Sequence, residues 1–188
     1  GCRRGNRYGW RRARLDGTGL EKFATGLRNP YDLAFAPNGD LFCTDNGPDT
    51  SRRAIDDAPD ELNHVVQGAD YGHPGVWGTP PDGDVTRGPV LEISAHAAAV
   101  GLTFYTGPQA RDFEGDVLIA TWGPGVGRSS YAHNLLRARL APADGTYVGV
   151  ATPFVTGLTR PTDVAVGPRG DIFISDHVGR RIYRVSRR

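Results

Sequence analysis

The chain of 188 residues is long enough for one sizeable core, and its 26 Gly, 14 Pro and 38% hydrophobic residues argue against long helices. The 22 basic and 21 acidic residues leave a net charge of +1, so no field for nucleic acid is present, and the apolar runs are far too short to span a membrane. An all-β architecture of short strands joined by turns is the expected class.

In chain order, no signal peptide precedes Gly1, so either a leader has been removed or the chain begins in mid-gene, and Gly1 to Arg14 (GCRRGNRYGWRRAR) lacks the features of a domain start. It leads into a strand expected to end at Leu15, and no methionine occurs anywhere, so the expected reading is a fragment that begins in mid-unit. Cys2 and Cys43 have no metal-type spacing and form no disulfide framework. Lys22 is the only lysine, a bias that reflects a GC-rich genome.

The stretch Phe23 to Asn46 (FATGLRNPYDLAFAPNGDLFCTDN) overlays Phe154 to His177 (FVTGLTRPTDVAVGPRGDIFISDH) without a gap. Pro30/Pro161, Asp32/Asp163, Gly39/Gly170 and Asp45/Asp176 are among the identities. A weaker copy lies between them, with Gly101 to Tyr105 as its first strand and Gly115 to Thr121 matching the Gly-Asp strands. Arg12 to Leu15 (RARL) returns as Arg137 to Leu140, each leading to an Asp-Gly-Thr turn, and Ile182 to Val185 closes the last copy. Alternating apolar residues and the Pro-x-Gly-Asp punctuation predict antiparallel hairpins.

Strand-only repeats of this length predict the blades of a β-propeller rather than a β-sandwich. The expected partition is a single domain, 1–188, with a blade end over 1–22 and blades over 23–87, 88–153 and 154–188. Three blades do not close a ring, since propellers have about four to eight.

Loops carry function in such a fold. Asn29 and Arg160 occupy matched positions before the proline that opens an inner strand, and Arg28 precedes Asn29. Guanidinium groups there suit a ligand with several carboxylates, the alternative being arginines that cap turns. The connection after Asp45 runs Asn46-Gly47-Pro48-Asp49, then Asp60-Glu61-Leu62-Asn63, then Asp70-Tyr71-Gly72-His73-Pro74. Mixed carboxylate and backbone oxygens of this kind suit Ca²⁺, the alternative being a solvated acidic loop.

Together, GLRNPYDLAFAPNGDLFCTDNGPD, DELNHVVQGADYGHP, HAAAVGLTFYTG and GLTRPTDVAVGPRGDIFISD closely resemble the PQQ-dependent soluble glucose and sorbosone dehydrogenases, from Leu15 to Val185. The resemblance implies about three blades of a six-bladed propeller, with PQQ over the channel mouth above a calcium ion. It implies that Arg28, Asn29 and Arg160 contact PQQ, and that the carbonyls of Gly47 and Pro48 bind the active-site calcium. Glu61 and the Tyr71 carbonyl would serve a second, structural calcium, with a looser match at Trp77 and Asp82.

The implied reaction is oxidation of an aldose or related sugar aldehyde. A general base is expected outside the chain, because none of His64, His73, His96, His133 or His177 stands in the family's catalytic motif. This chain alone is expected to be inactive. The family's PQQ-contacting lysine is replaced by the loop Trp122 to Arg128, where Arg128 is the candidate substitute. Expected partners are a sugar, a soluble electron acceptor and a second copy in a homodimer, in the periplasm or outside the cell. The competing class is a non-catalytic, calcium-stabilised propeller that binds carbohydrate or protein.

Overall fold

A computed structural model describes residues 9–48, 58–123 and 131–187. Every sheet in it is antiparallel, and its helical content is one 3₁₀ turn, Arg111–Phe113. A two-stranded sheet pairs β1 (Gly9–Arg12) with β2 (Glu21–Thr25). Then come a sheet of β3 (Pro30–Phe35), β4 (Leu41–Asp45), β5 (Asp60–Val65) and β6 (Leu91–Ile93), and one of β7 (Ala99–Phe104), β8 (Val117–Thr121), β9 (Asn134–Ala143) and β10 (Thr146–Val155). The last holds β11 (Pro161–Val166), β12 (Ile172–Asp176) and β13 (Arg181–Val185).

Each sheet is a meander, so neighbours in sequence are neighbours in space, as short hairpins require. The Pro-x-Gly-Asp turns work as predicted. Gly39 donates to the Ala36 carbonyl at 2.9 Å and Gly170 to the Gly167 carbonyl at 2.8 Å, with φ of 93° and 87° that a Cβ would oppose.

Two details of the sequence reading shift. The first strand stops at Arg12, and Leu15 is fully exposed, because Asp16 Oδ1 accepts the Thr18 N–H at 2.8 Å and pulls the chain into a tight turn. The sequence repeat also runs out of phase with the sheets. Phe23 and Phe154 lie in β2 and β10, the closing strands of their sheets, and the next sheets open at Pro30 and Pro161.

The sheets stack face to face like a fan, and period-2 alternation builds a separate apolar layer at each interface. β8 shows the logic: Val117 and Ile119 pack with Phe42, Leu62 and Ile93 of the preceding sheet, while Leu118 and Ala120 pack with Val164, Ile172 and Ile174 of the next. Phe42 and Cys43 split β4 in the same way, Cys43 joining Ala24, Val65 and Tyr71. This is the arrangement of a β-propeller.

The inner strands β3, β7 and β11 lie side by side. The Asp32 carboxylate accepts the Leu102 N–H at 2.8 Å, and Thr44 Oγ1 donates to the Val100 carbonyl at 2.8 Å. A Cβ on Gly101 would fall 2.6 Å from Asp163 Cα, so glycine permits β7 and β11 to approach. The stack has two uncovered faces among the described residues. Leu33 and Phe35 on β3 are 53% and 65% exposed, whereas the matched Leu102 and Phe104 on β7 are 4% and 5% exposed. Phe173 and Ile182 mark the other uncovered face.

Candidate functional site

Because strand direction alternates, the segments entering β3, β7 and β11 and those leaving β4, β8 and β12 meet at one end of the stack. Two of these junctions are built alike. Asp45, the last residue of β4, accepts the Arg28 N–H at 2.9 Å and the Asn29 N–H at 2.6 Å. Asp176, the last residue of β12, accepts N–H groups of Thr159, Arg160 and Gly179 at 2.7, 2.9 and 2.9 Å. The Asp45/Asp176 identity is therefore a backbone clamp that fixes the segment carrying the arginines. In the middle sheet Thr121 stands at this position, its hydroxyl donating to the Asn134 carbonyl at 3.0 Å.

The two clamps differ electrostatically. Burial pushes the Asp45 carboxyl up to about 6, although the N–H groups of Arg28 and Asn29 and the Arg28 charge oppose it. Burial also acts to raise Asp176, but its N–H donors together outweigh that effect and hold the group below the ordinary value.

The arginine side chains engage backbone carbonyls. Arg28 Nη1 donates to the carbonyls of Gly47 at 2.7 Å and Asn46 at 3.1 Å. Arg160 Nη1 donates to the Trp122 carbonyl at 3.1 Å, with the guanidinium 5.6 Å from the Trp122 ring, which stacks on His177. A chain of contacts links the two arginines across three sheets. Gly47 N–H donates to Asp60 Oδ1 at 2.8 Å, the N–H groups of Ala98 and Ala99 also act on Asp60, and Trp122 N–H donates to the Ala98 carbonyl at 3.0 Å. Arg28, Gly47 and Arg160 are thus joined by one run of contacts at this end of the stack.

Beneath Arg28 is a cavity of about 10 Å³, lined in part by Asp45, Asn46, Gly47, Glu61 and Tyr71. That is room for about one water-sized particle. Gly47, Glu61 and Tyr71, which the resemblance divides between two calcium sites, share this one wall together with Arg28 and Trp77. Pro48 is buried but is not part of the lining, and Asp82 is exposed away from it. Asn29 is held through its backbone, whose carbonyl accepts the Asn46 N–H at 3.3 Å. Asp49 and Arg128 lie outside the described residues.

The oxygen atoms around the cavity suit a hard cation. Glu61 is pushed up to about 7, first by burial and then by the Asp45 and Glu92 charges, against bonds from Asn63 Nδ2 at 2.9 Å and the Gly78 N–H at 2.8 Å. Burial raises Asp60 as well. Among the described residues, the buried acceptor Asn46 Oδ1 of the lining has no hydrogen-bond partner, nor do Asp60 Oδ2 and Asn63 Oδ1, whose residues lie outside the lining but bond to Gly47 and Glu61 of it. Orphaned oxygens beside carboxylates that are expensive to ionise are the donor set Ca²⁺ takes. No group of three or more His, Cys, Asp or Glu side chains converges as a metal cluster among the described residues, so amide and backbone oxygens would have to complete the shell. The Tyr71 phenol is not a candidate: it donates to the His64 carbonyl at 2.6 Å, accepts the Val66 N–H at 2.9 Å, and burial pushes it up to about 12.

The residue pattern does not show that Asp60 reaches the neighbouring sheet or that the Trp122 carbonyl receives Arg160. Asp60 sits in the quoted acidic run, but its link to the next sheet has no sequence signature. His133 also reaches this end, its Nδ1 lying 2.6 Å from the Thr159 carbonyl.

Known proteins share this fold and part of this sequence. The family model described as Glucose / Sorbosone dehydrogenase matches residues 14–184. Quinoprotein glucose dehydrogenase B of Acinetobacter calcoaceticus is 40% identical over 60 residues, 32% of this chain and 11% of that protein. A putative oxidoreductase (glucose dehydrogenase) of Thermus thermophilus superposes with a TM-score of 0.65 and 27% identity, over 83% of this chain and 41% of that one. The PQQ-bound aldose sugar dehydrogenase of Streptomyces coelicolor gives a TM-score of 0.60 and 25% identity, over 85% and 40%. The chain thus spans less than half the length of these relatives, and no helix among its described residues is long and apolar enough to cross a membrane. With the match extending over nearly all of its length, the chain belongs to the glucose/sorbosone dehydrogenase family.

Proposed function

We propose that the complete protein oxidises an aldose or related sugar aldehyde with PQQ and Ca²⁺, and that this chain supplies the C-terminal part of the cofactor seat. The observation that carries this reading is the run of contacts from Arg28 through Gly47, Asp60, Ala98 and Trp122 to Arg160 at one end of the stack. Two guanidinium groups and a set of buried oxygen donors at the end where the inner strands converge support this reading.

Arg28, Asn29 and Arg160 would hold the anionic cofactor, the guanidinium groups pairing with its carboxylates. The carbonyls of Gly47 and Pro48 would bind the active-site cation, with Glu61 and the Tyr71 carbonyl serving a second. When bound, PQQ would supply the hydride acceptor and calcium a Lewis acid. The Asp45 and Asp176 clamps keep the arginine segments in place without using the arginine side chains. The base that takes the sugar hydroxyl proton comes from outside these 188 residues, so the chain alone is inactive. The exposed Leu33 and Phe35, whose counterparts on β7 are buried, support a longer six-bladed ring in which another inner strand covers β3.

A periplasmic or secreted location, a soluble electron acceptor and homodimer formation belong to this reading. The test is dye reduction by the complete reading frame with an aldose, PQQ and Ca²⁺. Reduction that depends on both additions is expected, with Arg28→Ala weakening cofactor uptake. Dye reduction that persists without PQQ would sink the proposal.

A further inference from the structure

Gly47 is held from both sides. Its N–H donates to Asp60 Oδ1 at 2.8 Å, and its carbonyl accepts from Arg28 Nη1 at 2.7 Å. The Arg28 backbone is fixed separately through Asp45 Oδ2 at 2.9 Å. Arg28 is therefore fastened at two points, its backbone at Asp45 and its guanidinium at the carbonyls of Gly47 and Asn46.

That guanidinium occupies a particular position. Asp45, Asp60 and Glu61 are all buried nearby, and Asn46 Oδ1 and Asp60 Oδ2 lack partners among the described residues. Arg28 delivers positive charge to the same carbonyl oxygen through which a divalent cation would be bound. Two cations drawing on one oxygen in a poorly solvated site repel each other strongly. The carbonyl can serve either fully, but not both.

We propose that the Arg28 guanidinium is the resident donor on the Gly47 carbonyl, and that a divalent cation reaches this carbonyl by displacing it. This rests on the reading of Gly47 as a cation ligand. Coupling between the two is reciprocal: whatever Arg28 takes from cation affinity, a bound cation takes from the Arg28–Gly47 contact. Cation entry would take the guanidinium off the Gly47 carbonyl with its charge intact, at the end of the stack where an anionic ligand is to be held. Loading then has an order, cation before anion.

The experiment titrates calcium alone, without PQQ, into the 188-residue chain by calorimetry. Arg28→Ala and Arg28→Gln are expected to bind calcium about 5- to 20-fold more tightly than the unmodified chain, within the usual range of coupling between sites. Arg181→Ala removes a positive charge from the junction at the end of β12 without touching Gly47, and is expected to stay within about twofold. Both Arg28 variants keep the backbone bond to Asp45, and melting curves followed by circular dichroism check that they fold. Should they fail to do so, Arg28→Lys keeps the charge on a shorter side chain with a weaker hold on the Gly47 carbonyl, and is expected to bind calcium about 2- to 5-fold more tightly; no gain overturns the displacement. Unchanged or weaker calcium affinity in the Arg28 variants overturns the displacement while leaving the cation site standing. Calcium binding to none of the proteins overturns both. An equal gain in Arg181→Ala reduces the effect to general charge and also overturns the displacement.

Discussion

Replacing Glu61 with glutamine should stabilise the metal-free protein at alkaline pH and leave it unchanged in acid. Glu61 is buried and pushed up to about 7 from an ordinary 4.5, mainly because its charge is poorly solvated. A carboxyl raised in the folded state contributes stability that is fully present below its unfolded value and is lost as pH rises through its folded value. At pH 8 the wild-type chain has therefore lost about 3 kcal/mol that it holds at pH 4. The Glu61→Gln variant would avoid that loss. Its side-chain carbonyl can still accept the Gly78 N–H, and its amide can donate to Asn63 Oδ1 once the Asn63 amide, whose Nδ2 now donates to Glu61, turns over. For a chain of this size, about 3 kcal/mol corresponds to a rise of roughly 6 to 12 °C in melting temperature. Thermal melts in a chelating buffer from pH 4 to pH 8 would measure it. A variant that melts at or below the wild-type temperature at pH 8 without divalent cations would refute the account of Glu61 as a carboxylate buried without adequate compensation.

Further outcomes follow from the packing. Leu102→Ala, in the layer between the second and third sheets, is expected to destabilise by about 2 to 5 kcal/mol in chemical denaturation, whereas Leu33→Ala at the matched exposed position should change stability by less than about 0.5 kcal/mol. Equal effects would show that β3 is covered in solution. Gly101→Ala forces a Cβ to within 2.6 Å of the Asp163 backbone, and urea titration should show a loss of about 1 to 3 kcal/mol. Asp45→Asn in a chelating buffer should flatten the pH dependence of melting between about pH 4 and 6, since Asp45 is raised from 3.8 to about 6 and, like Glu61, favours the folded state more at the acidic end.

Much of the fold was legible because propeller strands advertise themselves. Each inner strand must alternate between two apolar layers, and each Pro-x-Gly-Asp turn needs glycine at positive φ, so β3, β4, β11 and β12 stood out as a gapless repeat. The strand expected to reach Leu15 failed because RARL reads identically in both places. In β9 the strand runs on to Ala143, whereas at Asp16 a side-chain turn ends the ladder early. The offset between repeat and sheet was hidden for a related reason: a strand's own residues do not say whether its neighbour opens the same sheet or closes the preceding one.

The candidate site divides along the same line. By itself the sequence determined the residue chemistry: arginines before the inner-strand prolines, a glycine and carboxylates after β4, and an aspartate repeated at Asp45 and Asp176. Tertiary structure alone decided which atoms meet. Arg28 on the Gly47 carbonyl, Asp60 beneath the neighbouring sheet and Arg160 on the Trp122 carbonyl are all contacts with backbone atoms. Every residue carries the same backbone groups, so only the folded path of the chain can select which of them face one another.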